Sequence, residues 1–296
     1  MVDVTDPLGV GATQPRHNEE VANYYRSTWL DYFLLWTNSD NLALHFGYRE
    51  NGASSHSRSL FNANEVLADT ISIRPGEHIL DAGCGLGGSS FWLATHRRAA
   101  VTGIALGPDQ ILFSSQEAEH RRLTRLTSFV VADFEQLPFS KETFDAVWAQ
   151  ESLCHAADKA SFFNEAFRVL RSGGRIVISD FFLRSQSVNF SDETILREWL
   201  EAWRIPFLWT AAEHSNAAKS AGFSKLLIRD VSRCTSPSHR RLYNLATLLQ
   251  PAAAVLERLG VGNSFQHGNV LAGLRQYQAL RNDCWFYGIL SGRKLG

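Results

Sequence analysis

The chain has 296 residues, a formal net charge of −1, 45% hydrophobic and 20% charged residues, the make-up of an ordinary soluble globule. A balance so close to neutral argues against a phosphate-neutralising nucleic-acid face, which needs a clear surplus of Lys and Arg, and no apolar run approaches the length of a membrane span. Cys84, Cys154, Cys234 and Cys284 stand at least 50 positions apart, so no metal site and no disulfide framework is expected, and the reading is free thiols in a reducing cytoplasm.

In chain order, Met1 to Pro15 is rich in Gly, Pro, Thr and Asp, lacks the apolar stretch of a signal peptide, and is expected to be disordered. From about 17 to 36, Val21, Tyr24, Tyr25, Trp29, Phe33 and Trp36 recur at helical spacing. A loop through His45-Phe46-Gly47-Tyr48 precedes a helix over 58–70. Strands and helices alternate from 77 to 181, which predicts a parallel sheet with right-handed crossovers. Helices near 191–204 and 211–221 lead to a strand at Ser224–Ile228, and a long helical insertion runs from about 235 to 282. Cys284 to Leu290 reads as the last strand.

The most informative stretch is His78-Ile79-Leu80-Asp81-Ala82-Gly83-Cys84-Gly85-Leu86-Gly87-Gly88. A buried strand ending in an acid, followed by alternating glycines, is how an open parallel sheet opens a nucleotide site at its carboxyl edge. Gly83, Gly85 and Gly88 also satisfy the dinucleotide fingerprint. A dinucleotide enzyme, however, wants a ribose-binding acid about 20 residues on, at the end of the second strand. Here Val101-Thr102-Gly103-Ile104 ends in Ala105-Leu106, and the acids are Asp81 and Asp133 instead. A nicotinamide-dependent oxidoreductase is therefore disfavoured.

That pattern resembles the class I S-adenosylmethionine-dependent methyltransferases, whose first motif reads acid-x-Gly-x-Gly-x-Gly. The resemblance continues through Val130-Val131-Ala132-Asp133, Leu137-Pro138-Phe139, Phe144-Asp145-Ala146-Val147 and the Ser172-Gly173-Gly174 turn, covering roughly residues 58–182. Ala105-Leu106-Gly107-Pro108 is similar to the small-residue variant seen in tocopherol- and sterol-type members. It implies a Rossmann-like α/β core, mostly parallel with its last strand antiparallel. Residues 1–57 would be an N-terminal tail and helical lid, 58–232 the cofactor-binding core, 233–283 a helical cap, and 284–296 the final core strand.

The same resemblance assigns the cofactor contacts. Gly83, Gly85 and Gly87 would bring backbone amides to the amino-acid tail of S-adenosylmethionine, and Asp81 would receive its ammonium. Asp133 would accept from the adenine amino group with Phe134 on the ring; Gln110, at the start of the next helix, is the candidate for the ribose hydroxyls, and Leu106 and Gln150 are further cofactor-binding candidates. Tyr24 and Tyr25, followed by Asp31-Tyr32-Phe33, resemble the paired-tyrosine lid of cyclopropane-synthase and tocopherol-type enzymes. The competing readings are plain: a strand-end cap for Asp81, a turn residue for Asp133, and an amphipathic helix for the tyrosines.

Glu151, after the fourth strand, matches an acid that related isoprenoid and sterol methyltransferases place near the reacting carbon. His155 is a candidate general base, because its ordinary pKa lies near working pH, and His45 is a further candidate. The alternatives are a cofactor contact or helix cap for Glu151 and a satisfied polar neighbour for His155. Trp199, Trp203, Phe207 and Trp209, with Trp29, Trp36, Trp285, Phe286 and Tyr287, are candidates for an aromatic wall around an apolar acceptor, or for ordinary core packing. The expected activity is methylation of a small apolar natural product, with C-methylation of a terpenoid or prenylated acceptor ahead of N- or O-methylation and of a non-catalytic cofactor-binding protein. The expected partner is a small molecule, with no nucleic acid, no membrane, and self-association left open.

Overall fold

A computed structural model describes residues 14–37, 39–50, 55–187, 189–258 and 264–296, with the side chains of 14–15, 30–35, 254, 256–258 and 264–266 outside that description. The expected disorder before residue 14 and the roles of Asp31, Tyr32 and Phe33 lie outside the described residues.

The N-terminal helix, α1 (Gln14–Leu35), and α2 (His56–Thr70) precede the sheet. The alternating core runs β1 (His78–Ala82), α3 (Gly88–Trp92), β2 (Ala100–Ala105), α4 (Pro108–His120), β3 (Thr127–Val131), β4 (Phe144–Gln150), α5 (Lys159–Val169) and β5 (Leu170–Leu183). Then come α6 (Phe190–Ala202), α7 (Ala211–Ala221), β6 (Ser224–Asp230), α8 (Ser232–Arg258), α9 (Ser264–Arg281) and β7 (Trp285–Arg293). The seven strands lie in the order β3-β2-β1-β4-β5-β7-β6. All pairings from β3 to β5 are parallel, while β7 is antiparallel to both neighbours.

Chain order reverses between β1 and β4, so Asp81 pairs with Gly103 of β2 on one side and Trp148 of β4 on the other. That is the switch point at which the carboxyl ends of an open parallel sheet leave a crevice. Side-chain alternation sends Ile79, Val177, Phe181 and Trp285 to one core, and Leu80, Ile178, Phe182 and Phe286 to the other. Both faces of the central strands are thus covered, which explains why they read as continuous apolar runs.

Helix ends follow local chemistry. Asp158 accepts the Ala160 and Ser161 amides and starts α5, and Thr210 with Glu213 forms a capping box on α7. The stretch Ser172-Gly173-Gly174 differs from the expected turn. It lies inside a continuous β5 as a bulge, where Phe144 pairs with Leu170 but Ala146 with Arg175, and Gly173 takes φ +77°. The third strand also ends two residues early, leaving Asp133 in the following loop, bridged to Gln136. No helix among the described residues is long and apolar enough to cross a membrane.

Candidate active site

Two cavities open at the switch point. The smaller, about 90 Å³, is bounded by the glycine loop, by the ends of β1, β2 and β4, by the loop after β3, and by α1. The larger, about 320 Å³, lies between the sheet edge, α1 and the α8–α9 pair. Tyr25, Leu44, Glu151 and His155 line both. A group held in one cavity therefore meets a group held in the other at these four residues.

The glycine loop is shaped by contacts that only glycine permits. Gly83 has φ +95°, and a Cβ there would stand 2.3 Å from the Ser152 Cβ. A Cβ on Gly88 would meet the Asn41 carbonyl at 2.4 Å. Asp81 is buried, accepts from Ser90 Oγ at 2.6 Å, and burial pushes its carboxyl up to about 6. Two buried nitrogens on residues that line this cavity, Gln150 Nε2 and His45 Nε2, have no hydrogen-bond partner. A carboxyl, glycine backbone and unsatisfied polar atoms, with no Lys or Arg among the described lining residues, suit a cofactor with an amino-acid tail and no phosphate. The residues present fit S-adenosylmethionine. Among the described residues no His, Cys, Asp and Glu cluster is arranged to hold a metal.

The cofactor candidates fall unevenly. Asp81, Gly83, Gly85, Leu106, Gln110, Asp133, Phe134 and Gln150 all line the smaller cavity. Gly87 does not: at φ +84° it caps the start of α3, and a Cβ there would press on Phe91 and Phe129. Gly88 takes its place at the cavity. Tyr24 lines only the larger cavity, its hydroxyl donating to Asn269 Oδ1 at 2.5 Å, because the next residue, Tyr25, is the one that α1 turns toward the junction. His45 lines only the smaller cavity, away from where an acceptor would lie. Both oxygens of Asp133 are engaged, Oδ1 by the Glu135 amide and Oδ2 by Asn18 Nδ2 at 2.7 Å. A carboxylate oxygen carries two lone pairs, so Oδ2 can accept from an adenine amino group alongside Asn18.

At the junction, Glu151 Oε1 accepts from the Phe46 amide at 2.6 Å and from Tyr287 Oη at 2.5 Å. Its backbone has φ +52°, a strained conformation for a side chain of this size. The surrounding protein pushes its carboxyl up to about 8, against the two donors that favour the ionised form, with Asp180 adding to the rise. His155 ends a short helical turn, Leu153–His155. Its Nδ1 lies 3.3 Å from the Arg204 carbonyl, which can only accept, so the ring proton is assigned to Nδ1. Nε2 then accepts from Tyr25 Oη at 2.9 Å. Burial lowers His155 to about 4 and keeps it neutral.

The turn carrying His155 is held from both sides. Asp180 accepts the Cys154 amide at 2.9 Å, and the buried Lys159 Nζ donates to the Cys154 and Ala156 carbonyls at 3.3 and 3.0 Å. Neither Lys159 nor Asp180 was a candidate from sequence. A Lys at the first position of a helix reads as surface charge, and only tertiary packing buries it.

The larger cavity is walled by Trp36, Phe46, Phe181 and Trp203, and by an α8 face of Leu242, Leu245, Ala246 and Leu249. The neighbouring rings of Trp36 and Phe46 are 5.3 Å apart, and those of Phe181 and Trp203 are 6.1 Å apart. Among the described residues no Lys or Arg lines it. Of the expected aromatic wall, only Trp36 and Trp203 face the cavity. Trp199 and Trp285 are fully buried behind Phe181, Phe286 stacks on Phe182 across the sheet, and Trp29 is 49% exposed. Phe207 lies beneath Lys159, and Trp209 packs against His214. Phe181 was legible in principle: it pairs with Tyr287, so period-two alternation places both on one face.

Residues 80–178 match the family model described as a methyltransferase domain. The chain is 30% identical over 223 residues to cycloartenol-C-24-methyltransferase 1 of Oryza sativa subsp. japonica, an alignment of 75% of this chain and 63% of that one, less than two thirds of its length. It is 31% identical to 27-O-demethylrifamycin SV methyltransferase of Amycolatopsis mediterranei, over 66% of this chain and 71% of the relative. Among solved structures, the cyclase SpnF superposes with a TM-score of 0.77 at 23% identity, covering 94% of this chain and 97% of that one, a likeness of fold. The acid-glycine loop at the switch point, the cavity it bounds and these relatives converge: the chain belongs to the S-adenosylmethionine-dependent methyltransferases.

Proposed function

We propose that the protein transfers a methyl group to a neutral, largely apolar natural product, at a carbon of a terpenoid or prenylated acceptor. The observation that carries this reading is the junction. A carboxyl, Glu151, stands where a cofactor cavity meets an aromatic cavity with no Lys or Arg among its described lining residues. A diphosphate or carboxylate acceptor would need a cationic partner there.

Bound S-adenosylmethionine supplies an electrophilic methyl. Trp36, Phe46, Phe181 and Trp203 bind the acceptor and exclude water. When the acceptor's π electrons form the new carbon–carbon bond and the carbon–sulfur bond breaks, the acceptor is left with a positive charge. Ring faces stabilise such a cation by ~0.5–2 kcal/mol each. Glu151 takes the proton that restores a neutral product, its basicity raised by burial. A second reading is O-methylation, favoured by one observation: His155 is neutral and its Nε2 is an acceptor held by Tyr25 Oη at 2.9 Å. There the imidazole would remove a hydroxyl proton.

The test is turnover with methyl-labelled cofactor against neutral prenylated phenols, terpenoid alcohols, prenyl diphosphates and simple amines, with the label located by NMR. Label on carbon in a neutral acceptor is expected. Label on oxygen transfers the chemistry to His155, and preferred turnover of a diphosphate or an amine overturns the reading.

A further inference from the structure

The two carboxyl oxygens of Glu151 are used unequally. Both of its donors, the Phe46 amide at 2.6 Å and Tyr287 Oη at 2.5 Å, reach Oε1. A carboxylate oxygen has two lone pairs, so Oε1 has none to spare for a proton. Among the described residues no donor reaches Oε2, yet Oε2 is not one of the buried polar atoms that lack a partner, so it keeps open surface. Glu151 lines both cavities at their junction, and that surface opens onto them.

Tyr287 is placed to maintain that asymmetry. It pairs with Phe181 of β5, is buried, and lines neither cavity. Its amide donates to Ser232 Oγ at 2.9 Å, and its carbonyl accepts the Val231 amide at 2.8 Å. Its ring packs 5.9 Å from that of Phe181 and 5.7 Å from that of His239. Backbone and ring are thus both held. The hydroxyl has one proton, and it goes to Glu151 at 2.5 Å, because Ser179 Oγ lies 3.4 Å away.

We propose that Tyr287 is a positioning residue for the proton transfer: with the Phe46 amide it occupies Oε1 of Glu151, which leaves Oε2 as the atom that takes the proton from the methylated acceptor. This rests on the carbon-methylation reading above. In that step a carbon–hydrogen bond beside the cationic carbon breaks, its electrons form a carbon–carbon double bond, and the proton passes to Oε2. The carboxylate becomes a neutral carboxyl and the acceptor a neutral product. The Tyr287 hydrogen bond also favours the ionised form of Glu151. Asp180 of β5, with Lys159 of α5 behind it, pushes the other way. Burial keeps the remaining neighbours uncharged: Cys154 and His155 in the turn after β4, and His239 of α8 beside Tyr287. Tyr25 of α1 is engaged with His155.

The test is Tyr287→Phe in the full chain, which keeps the ring and removes the donor. The first measurement needs no acceptor. The infrared carbonyl band of the protonated Glu151 carboxyl, assigned by its loss in Glu151→Gln, is titrated against pH in the S-adenosylhomocysteine complex. In Tyr287→Phe its midpoint is expected to rise by about one pH unit, a tenfold shift in the acid-to-base ratio. Affinity for S-adenosylhomocysteine should stay within about twofold, which also reports that the variant is folded. An unchanged midpoint overturns the proposal. The second measurement is turnover of the neutral acceptor that takes label on carbon. At pH 7, kcat is expected to fall about tenfold with KM within about twofold, and the loss to recover as pH rises, because the carboxyl of the variant ionises later. In the Glu151→Gln background the same substitution should cost less than about twofold. A loss that falls on KM, persists at high pH or adds fully to that of Glu151→Gln overturns the positioning role. If no acceptor takes label on carbon, the methylation reading fails by itself, and the infrared midpoint still decides whether Tyr287 acts on the carboxyl.

Discussion

In the proposed reaction the proton transfer falls to one strained residue, Glu151. A non-glycine residue at φ +52° costs ~1–3 kcal/mol and persists only where its surroundings hold it. Here the Glu151 amide donates to the Ser179 carbonyl at 2.8 Å, while Phe46 and Tyr287 hold the carboxyl. With its carboxyl pushed up to about 8, Glu151 is mostly protonated near neutral pH before a cation arrives. Glutamine mimics that neutral form and still accepts both hydrogen bonds. Glu151→Gln is therefore expected to leave thermal unfolding and S-adenosylhomocysteine binding near normal, with turnover reduced by ~10²–10⁴-fold. Full turnover in this variant would move the proton transfer to His155 or to no side chain. The position of Glu151 was legible because the strand before it and its acid are local in sequence. Its partners were not, since Phe46 and Tyr287 lie 105 and 136 residues away, and nothing in the spacing announces either contact.

At the scale of elements, the alternation of strands and helices and the site at the carboxyl edge follow from apolar runs, glycines and turn chemistry, all local signals, and they were readable from the sequence, whereas the strand order is set by tertiary pairing. Which aromatic rings face the larger cavity depends on how α6, α8 and α9 pack, and helical spacing alone does not decide that. The N-terminal helix illustrates both. Its periodicity is evident, but its contacts come from distant loops: His17 Nε2 with the His155 carbonyl, Asn18 with Asp133, Tyr25 with His155, and Arg26 with Asp109. It closes over the smaller cavity without joining the sheet, which is the arrangement of a lid. Removing residues 1–27 keeps Trp36, which belongs to the main core. The shortened chain is expected to retain its circular dichroism and to release S-adenosylhomocysteine faster by about tenfold, equivalent to ~1.4 kcal/mol of lost contacts. An unchanged dissociation rate would show that α1 does not gate the site.

Across the whole molecule, a net charge of −1 conceals buried groups displaced in opposite directions. Burial raises Asp81 and Asp180 to about 6, Glu135 to about 7 and Glu151 to about 8. It lowers His45 and His155 to about 4, and His214 and His239 to about 3. Those histidines contribute stability above their ordinary value of 6.5, and it is lost as pH falls toward 4. The carboxyls act in reverse: their contribution is complete below about 4 and is lost as pH rises through 6 to 8. A bound cation changes this balance at one place. An opposite charge within ~4–6 Å lowers a carboxyl by ~1–3 pKa units, which takes Glu151 from about 8 to roughly 5–7. S-adenosylmethionine carries a sulfonium charge and S-adenosylhomocysteine does not, while their tails are identical and affect Asp81 alike. Near pH 7, binding of the first is expected to release a substantial fraction of one proton more than binding of the second. Calorimetry in two buffers of different ionisation enthalpy measures that difference, and Glu151→Gln should abolish it. Equal proton release by the two ligands would mean that the Glu151 carboxyl does not sense the sulfonium and lies outside reach of the transferring methyl.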